Sequence, residues 1–129
     1  MSAGPGIVGV GETPALRHPE PGCDTATLIA QAVRLALDDA GLRPADVDGL
    51  GLASFTLRPD RAIDMAWRLG LTLGWCMQDE MGGASAINML RHAWLALRAG
   101  QAHTIVLVAG DHFAGADFAA LVGLSLIHI

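Results

Sequence analysis

The stretch that decides the fold is GGASAINMLRHAWLALRAGQAHTIVLVAG, residues 82–110. It opens with the glycine pair Gly82-Gly83 and continues with a long apolar segment that ends at Ala99-Gly100. The apolar segment predicts a helix over 84–99, and the β-branched run over 104–109 predicts a buried strand. A glycine-rich turn, a helix and a strand in that order make one unit of an α/β protein.

Upstream of this stretch the alternation of strands and helices repeats. A helix begins at Asp24 or Thr25, either of which can cap it, and ends at Gly41, which supplies a left-handed stop. The segment 43–48 predicts a tight turn. The remaining predicted elements are strands over 6–11, 49–54 and 71–77 and a helix over 62–69. Strands that alternate with helices predict an α/β layered fold with a mostly parallel sheet.

The composition is that of a packed chain with an acidic balance. Of its 129 residues 52% are hydrophobic, and 13 acidic residues outnumber 8 basic ones for a net charge of -5. Such a chain offers no basic surface for nucleic acid or anionic lipid, and the lack of lysine excludes Schiff-base and P-loop lysine chemistry. The isolated cysteines Cys23 and Cys76 fit neither a disulfide framework nor a zinc site. With no signal-peptide pattern and no apolar run that could span a bilayer, we expect a soluble, cytoplasmic protein without a metal.

Three blocks of the sequence follow the order seen in one known superfamily. The first is Ile7-Val8-Gly9-Val10-Gly11-Glu12-Thr13, the second lies within 36–50, and the third runs from Gly82 to Gly110. Over about residues 6–112 the chain resembles the thiolase superfamily, and within it the lipid-transfer-protein or sterol-carrier-thiolase branch. This resemblance implies a layered α/β fold of which the chain supplies an incomplete N-terminal half, with a buried central helix.

The resemblance also implies where a nucleophile belongs. Thiolase-like proteins carry a catalytic cysteine at the start of the central helix, and the matching position, counted back from Gly100, is Gly83. A helix N-terminus lowers the pKa of a thiol and stabilises an acyl thioester, but glycine has no side chain to acylate. We therefore expect no Claisen condensation or thiolysis through this position. Gly82, Gly83 and Ser85 are expected to let a substrate carbonyl approach backbone amides.

Other candidate side chains carry weaker signals, so no catalytic residue is identified. His112 follows the last predicted strand, at the end where α/β folds place ligands, and a plain loop residue is the alternative. For Ser85 the alternative is a capping or packing serine. Cys76 is expected to be a small buried residue of a strand, and Cys23 a loop thiol without chemistry.

The family resemblance implies a protein that handles coenzyme A thioesters or lipid-derived ketones. It would be a thiolase-like, acyl-CoA acyltransferase-family protein without the nucleophile, and no cofactor is expected in the chain itself. Two alternatives stay open. One is a retro-aldol carbon–carbon lyase subunit that acts on acyl-CoA or sterol side chains with an OB-fold partner carrying a zinc ribbon, and the other is a noncatalytic binding subunit. The resemblance further implies a homodimer formed through the strand 71–77, with an interior strand as the alternative.

The two ends of the chain need separate interpretations. The last six residues, LSLIHI (124–129), are what the transposase adapter sequence CTGTCTCTTATACACATC encodes in this frame. We expect residues 1–123 to be a partial thiolase-like domain and 124–129 to be adapter read-through, with an ordinary apolar segment as the alternative. Near the start, 4–9 satisfies GxGxxG but precedes the first predicted strand, which argues against a dinucleotide-binding domain.

Overall fold

The computed structural model describes residues 4–14, 22–57 and 61–112. Its helices and strands alternate along these residues. They are the helices α1 (Thr25–Ala40), α2 (Arg61–Leu69) and α3 (Ser85–Arg98) and the strands β1 (Gly49–Ala53), β2 (Trp75–Asp79) and β3 (Ile105–Ala109). Two short 3-10 turns, Pro44–Asp46 and Gly82–Ala84, precede β1 and α3. None of the helices in this part of the chain is long and apolar enough to cross a bilayer.

The three strands form one parallel sheet in the order β2-β1-β3, with β1 in the centre. Gly49 lies in register with Trp75 on one side and with Ile105 on the other. All five residues of β1 are buried, because the strand is paired on both edges and covered on both faces. Parallel neighbours need long crossover connections, which α2 and α3 supply. The predicted α/β architecture with a parallel sheet is confirmed.

The helices cover the sheet from two sides. On one face α1 and α2 pack over the strands, and Leu50 and Leu52 of β1 join their core. Helix α3 lies on the other face. A Cβ atom placed on Gly51 would stand 3.3 Å from the sulfur of Met89, which is a residue of α3. Successive residues of a strand point to opposite faces, so the leucines fill one core while glycine admits α3 closely on the other.

Helix α1 begins and ends where the sequence predicts. Asp24 is its N-cap, and one carboxylate oxygen accepts both the amide (2.8 Å) and the hydroxyl (2.6 Å) of Thr27. These two bonds, the hydroxyl first, hold the pKa of Asp24 below its ordinary value. At the other end Gly41 adopts a left-handed φ of 70°, and its amide donates to the carbonyl of Asp38.

The predicted strand over 6–11 is wrong, because residues 4–14 form neither helix nor strand. The segment lies along α1, where the amide of Val10 donates to the carboxylate of Asp39 at 2.9 Å. Cβ atoms on Gly9 and Gly11 would come within 2.6 and 2.5 Å of α1 backbone atoms, so only glycine fits there. A strand needs a neighbour to pair its backbone, and among the described residues the sheet ends at β3.

The third strand of the sequence is displaced from its predicted position over 71–77. Strand β2 begins only at Trp75, because the residues before it complete the end of α2. The amide of Leu71 donates to the carbonyl of Ala66, and Leu71 and Leu73 pack against the core from outside the sheet. Cys76, expected to be buried, is exposed on this strand, while partial desolvation of its thiol raises the pKa.

Helix α3, the predicted central helix, is buried on the face that packs against the sheet of the described residues. Met89, Ala93 and Ala96 face the sheet and are buried. On the opposite side Ile87 is 77% exposed, and Leu90, Trp94 and Leu95 are close to half exposed. Within the described residues this outer face has no covering layer.

Candidate functional site

The carboxyl ends of the three strands meet at one edge of the sheet. Asp79, the last residue of β2, lies in register with Ala53 at the end of β1, which is in turn in register with Ala109 at the end of β3. In parallel sheets of this kind ligands bind outside the carboxyl ends of the strands. The polar residues that follow these three strands therefore define the candidate site.

Asp79 ties the glycine-rich turn to α3. The residue is 6% exposed, and its two carboxylate oxygens have different partners. One accepts the backbone amide of Met81 at 3.1 Å, and the other accepts the side-chain amide of Asn88, on the second turn of α3, at 2.6 Å. A buried carboxylate with such bonds is expensive to displace, so Asp79 and Asn88 fix the turn relative to the helix.

The turn itself presents backbone to the surface. Gly82 has a left-handed φ of 62°, a conformation that favours glycine. The amides of Gly82 and Gly83 have no acceptor among the described residues, and Ala84, which caps α3, provides no side-chain bond. A Cβ on Gly83 would meet nothing within 4 Å. The N-terminal end of α3 with Gly82 and Gly83, which we call the helix mouth, therefore offers donors that no described residue pairs, beside open space. This arrangement is suited to an oxyanion or carbonyl oxygen.

Ser85 lies just inside this mouth. It is 2% exposed, and its hydroxyl oxygen has no hydrogen-bond partner among the described residues. An unpaired buried hydroxyl costs free energy, so any group that reached it would be bound favourably. The role of Gly82, Gly83 and Ser85 in binding a substrate stays a prediction.

A second polar cluster holds the opposite side of the site. One carboxylate oxygen of Asp111, two residues beyond β3, accepts four donors at 2.8 Å: the hydroxyls of Ser54 and Thr56 and the amides of Phe55 and Thr56. The ring of Phe55 reaches the turn, since its Cζ atom would lie 3.7 Å from a Cβ on Gly82. Asp111 thus places an aromatic wall beside the glycine turn.

His112 is placed by its backbone in the described contacts. Its amide donates to the hydroxyl of Thr25 at 3.0 Å, and that hydroxyl lies 2.6 Å from the hydroxyl of Thr56. No side chain among the described residues hydrogen-bonds its imidazole. His112 therefore sits at the predicted edge of the sheet, and its chemical role stays a prediction.

Sequence reasoning missed Asp79, Asn88, Phe55 and Asp111. The signal for the two aspartates was present, because each ends or closely follows a strand of a parallel sheet. Phe55 and Asn88 carry no such signal, since their importance depends on packing across elements. Among the described residues no group of three or more His, Cys, Asp or Glu side chains could hold a metal ion.

A large cavity lies away from the glycine turn. A groove of about 800 Å³ runs between residues 5–11, α1, α3 and β3, and neither Gly82 nor Gly83 lines it. The groove lies beside β3. This space is open because the segment 6–11, predicted to be a strand, does not join the sheet there. We therefore place the site at the turn, where polar groups converge, and not in this groove.

Known proteins resemble the chain over most of its length. It is 35% identical over 95 residues to the β-ketoacyl-[acyl-carrier-protein] synthase III of Cereibacter sphaeroides, which covers 71% of this chain and 29% of that protein. It is 36% identical over 107 residues to the 17-hydroxy-3-oxo-4-pregnene-20-carboxyl-CoA lyase of Mycobacterium tuberculosis, covering 82% of this chain and 27% of that one.

A solved structure resembles it as well. An Ltp2-ChsH2(DUF35) aldolase superposes with a TM-score of 0.67 at 31% identity, over 91% of this chain and 31% of that one. No protein-family model matches the sequence. The chain spans less than a third of the length of these relatives.

Proposed function

This chain belongs to the thiolase superfamily, and from that premise we propose that its glycine turn binds the thioester or ketone oxygen of an acyl-CoA-type substrate without forming a covalent acyl-enzyme. The protein would be a thiolase-like, acyltransferase-family member that performs no Claisen chemistry at this turn. Coenzyme A thioesters are the proposed substrate class, with no cofactor bound by the chain.

One observation carries this proposal: the helix mouth combines backbone donors that have no acceptor in the described part of the chain with the absence of a side chain at Gly83. The amides of Gly82 and Gly83 can donate to an oxygen that gains charge during a reaction. Open space at Gly83 leaves room for the substrate where a nucleophile would otherwise stand. Binding and charge stabilisation are therefore retained, while acylation is lost.

A carbon–carbon lyase is the second candidate, favoured by two of the relatives, which are described as a lyase and an aldolase. Retro-aldol cleavage needs no nucleophile. A base takes the proton of the β-hydroxyl group, the bond between the α and β carbons breaks, and its electron pair moves into the thioester as an enolate. The developing charge falls on the thioester oxygen, which is the atom that the turn amides would stabilise.

The proposed assembly follows the same premise. We propose a cytoplasmic homodimer that pairs at the outer edge of β2, where Cys76 and Gln78 are exposed. For the lyase candidate we further propose an OB-fold partner with a zinc ribbon, and the two-component name of the aldolase supports the presence of a partner. An open strand edge favours pairing with another chain.

The proposal is tested on the protein at its full natural length, with and without such a partner. Intact mass spectrometry after incubation with acetyl-CoA should find no acyl adduct, and an adduct on any residue of the turn would overturn the noncovalent mechanism. Incubation with a β-hydroxyacyl-CoA then separates the candidates. Release of a ketone or aldehyde supports the lyase, whereas tight binding without turnover supports the noncatalytic subunit.

A further inference from the structure

Helix α2 exposes apolar side chains that its own fold does not use. Its inner face packs against the sheet through Ala62, Met65, Ala66 and Leu69, all of them buried. On its outer face Ile63 is 63% exposed and Trp67 is 83% exposed. These two residues, four apart, form one row along the helix, which we call the α2 stripe. Trp67 is the most exposed large hydrophobic residue in the described part of the chain.

A row of opposite charges runs beside the α2 stripe. Asp64 and Arg68 each follow a stripe residue by one position, with the acid in the first turn and the arginine in the last. Within the described residues neither forms an ion pair shorter than 4.0 Å, although Arg68 stands near Asp24. Both charges are therefore available to a partner that approaches the stripe.

This arrangement is complementary to itself. When two copies of α2 pack antiparallel about a two-fold axis, Ile63 of one copy faces Trp67 of the other, and Asp64 faces Arg68, each contact occurring twice. A parallel packing would bring Ile63 against Ile63 and leave the charged rows apart. The charge pattern thus selects a second copy of this chain, in one orientation.

We propose that the α2 stripe is a contact surface between two copies of this chain, packed antiparallel and flanked by reciprocal Asp64–Arg68 ion pairs. The inference rests on the proposed homodimer and assigns it a second contact. Helix α2 packs over β1 and β2, and β2 is an edge strand of the described sheet, so α2 lies near the edge at which the homodimer is proposed to pair. One two-fold axis can serve both surfaces.

The apolar part is tested by sedimentation velocity on the full-length protein. Trp67→Ala should weaken dimerisation about tenfold or more, because exposed tryptophans dominate interfaces when they become buried. The matched control is Leu35→Ala on α1, where the side chain is 44% exposed and its loss should leave the dimerisation constant unchanged. Helix content by circular dichroism checks that both variants fold.

The charged part is tested by reversal and exchange. Asp64→Arg and Arg68→Asp, made singly, should each weaken dimerisation about fivefold or more, since like charges then face each other. The double variant restores both pairs and should return to within about twofold of the wild type. If Trp67→Ala, Asp64→Arg and Arg68→Asp all leave the dissociation constant of the dimer unchanged, the α2 contact is overturned, whereas the proposed homodimer is not. A wild type that is monomeric at about 100 µM overturns both.

Discussion

At the residue scale, the proposed function depends on Gly83, which we propose to stand where a self-acylating thiolase carries its nucleophile. The position has no left-handed φ, and a side chain there would meet nothing within 4 Å. Glycine is therefore not required by the backbone, in contrast to Gly82. A residue with a side chain would therefore fit at this position without strain.

Restoring a thiol tests this reading. In a background with Cys23 and Cys76 changed to serine, Gly83→Cys should change the free energy of unfolding by less than about 1 kcal/mol, because the site is open. The helix N-terminus should lower the thiol pKa below its ordinary value of about 8.5. The rate of iodoacetamide alkylation against pH measures that pKa. An ordinary or raised value would contradict the electrostatic character assigned to the turn.

A second residue-scale effect concerns Asp48, which precedes β1. Its carboxylate accepts the amides of His103 and Thr104 at 2.9 Å. Burial raises the pKa of Asp48, but the bonds from Thr104 and His103 outweigh it, so the pKa lies below its ordinary value in the folded chain. A carboxyl group with a depressed folded pKa stabilises the fold above its unfolded pKa and loses that effect as the pH falls through the folded value.

Replacement of Asp48 by asparagine removes this titration. The wild type should lose stability as the pH drops below about 4, whereas Asp48→Asn should show a shallower acid loss from a lower starting stability at pH 7. Urea unfolding at pH 7, 4 and 3 measures the difference. Equal acid slopes for the two proteins would show that the Asp48 bonds do not contribute.

At the element scale, α1 depends on the cap at Asp24. Asp24→Ala should lower the free energy of unfolding by about 1 kcal/mol, because the Thr27 amide loses its acceptor. Asp38→Ala, at the other end of α1, is the control and should not destabilise, since a negative charge near a helix C-terminus is unfavourable. Thermal denaturation measures the stability of both variants. Equal losses of stability in Asp24→Ala and Asp38→Ala would contradict the capping role of Asp24.

The elements that sequence could predict are those with local causes. Helix α1 follows from its cap, its periodic apolar residues and Gly41, and β3 follows from its β-branched run. The segment 6–11 has the same apolar character, yet strand formation depends on a partner that sequence pattern does not reveal. The displacement of β2 has a similar cause, because Leu71 closes the end of α2 through a bond to Ala66.

The candidate site likewise contains one part that has a local cause in the sequence and other parts that depend on the fold. The glycine turn could be located from its order before a helix and a strand, and the structure places Gly82–Ala84 there. The clamp between Asp79 and Asn88 could not, because it joins a strand end to the second turn of a helix. Phe55 reaches the turn only through the fold, so no local pattern marks it.

At the scale of the whole molecule, Asp111 joins parts of the chain that are distant in sequence. Asp111→Ala leaves four donors without their acceptor and should lower the free energy of unfolding by about 2–3 kcal/mol. Thr56→Val, which keeps the backbone donors, should cost less. Urea denaturation of both variants measures this order, and a Thr56 variant as unstable as the Asp111 variant would refute the four-donor account.

The central position of β1 has a consequence for synthesis. Both neighbours of β1 are translated after it, and Ile105, the partner of Gly49, follows about 56 residues later. At a synthesis rate of about 5–20 residues per second, this interval takes about 3–11 s. During that time the five residues of β1, all buried in the folded chain, lack β3 as a neighbour. Slow codons placed between β2 and β3 should therefore reduce the soluble yield. The same codons placed before residue 49 should leave it unchanged, which expression of the two recoded genes can measure.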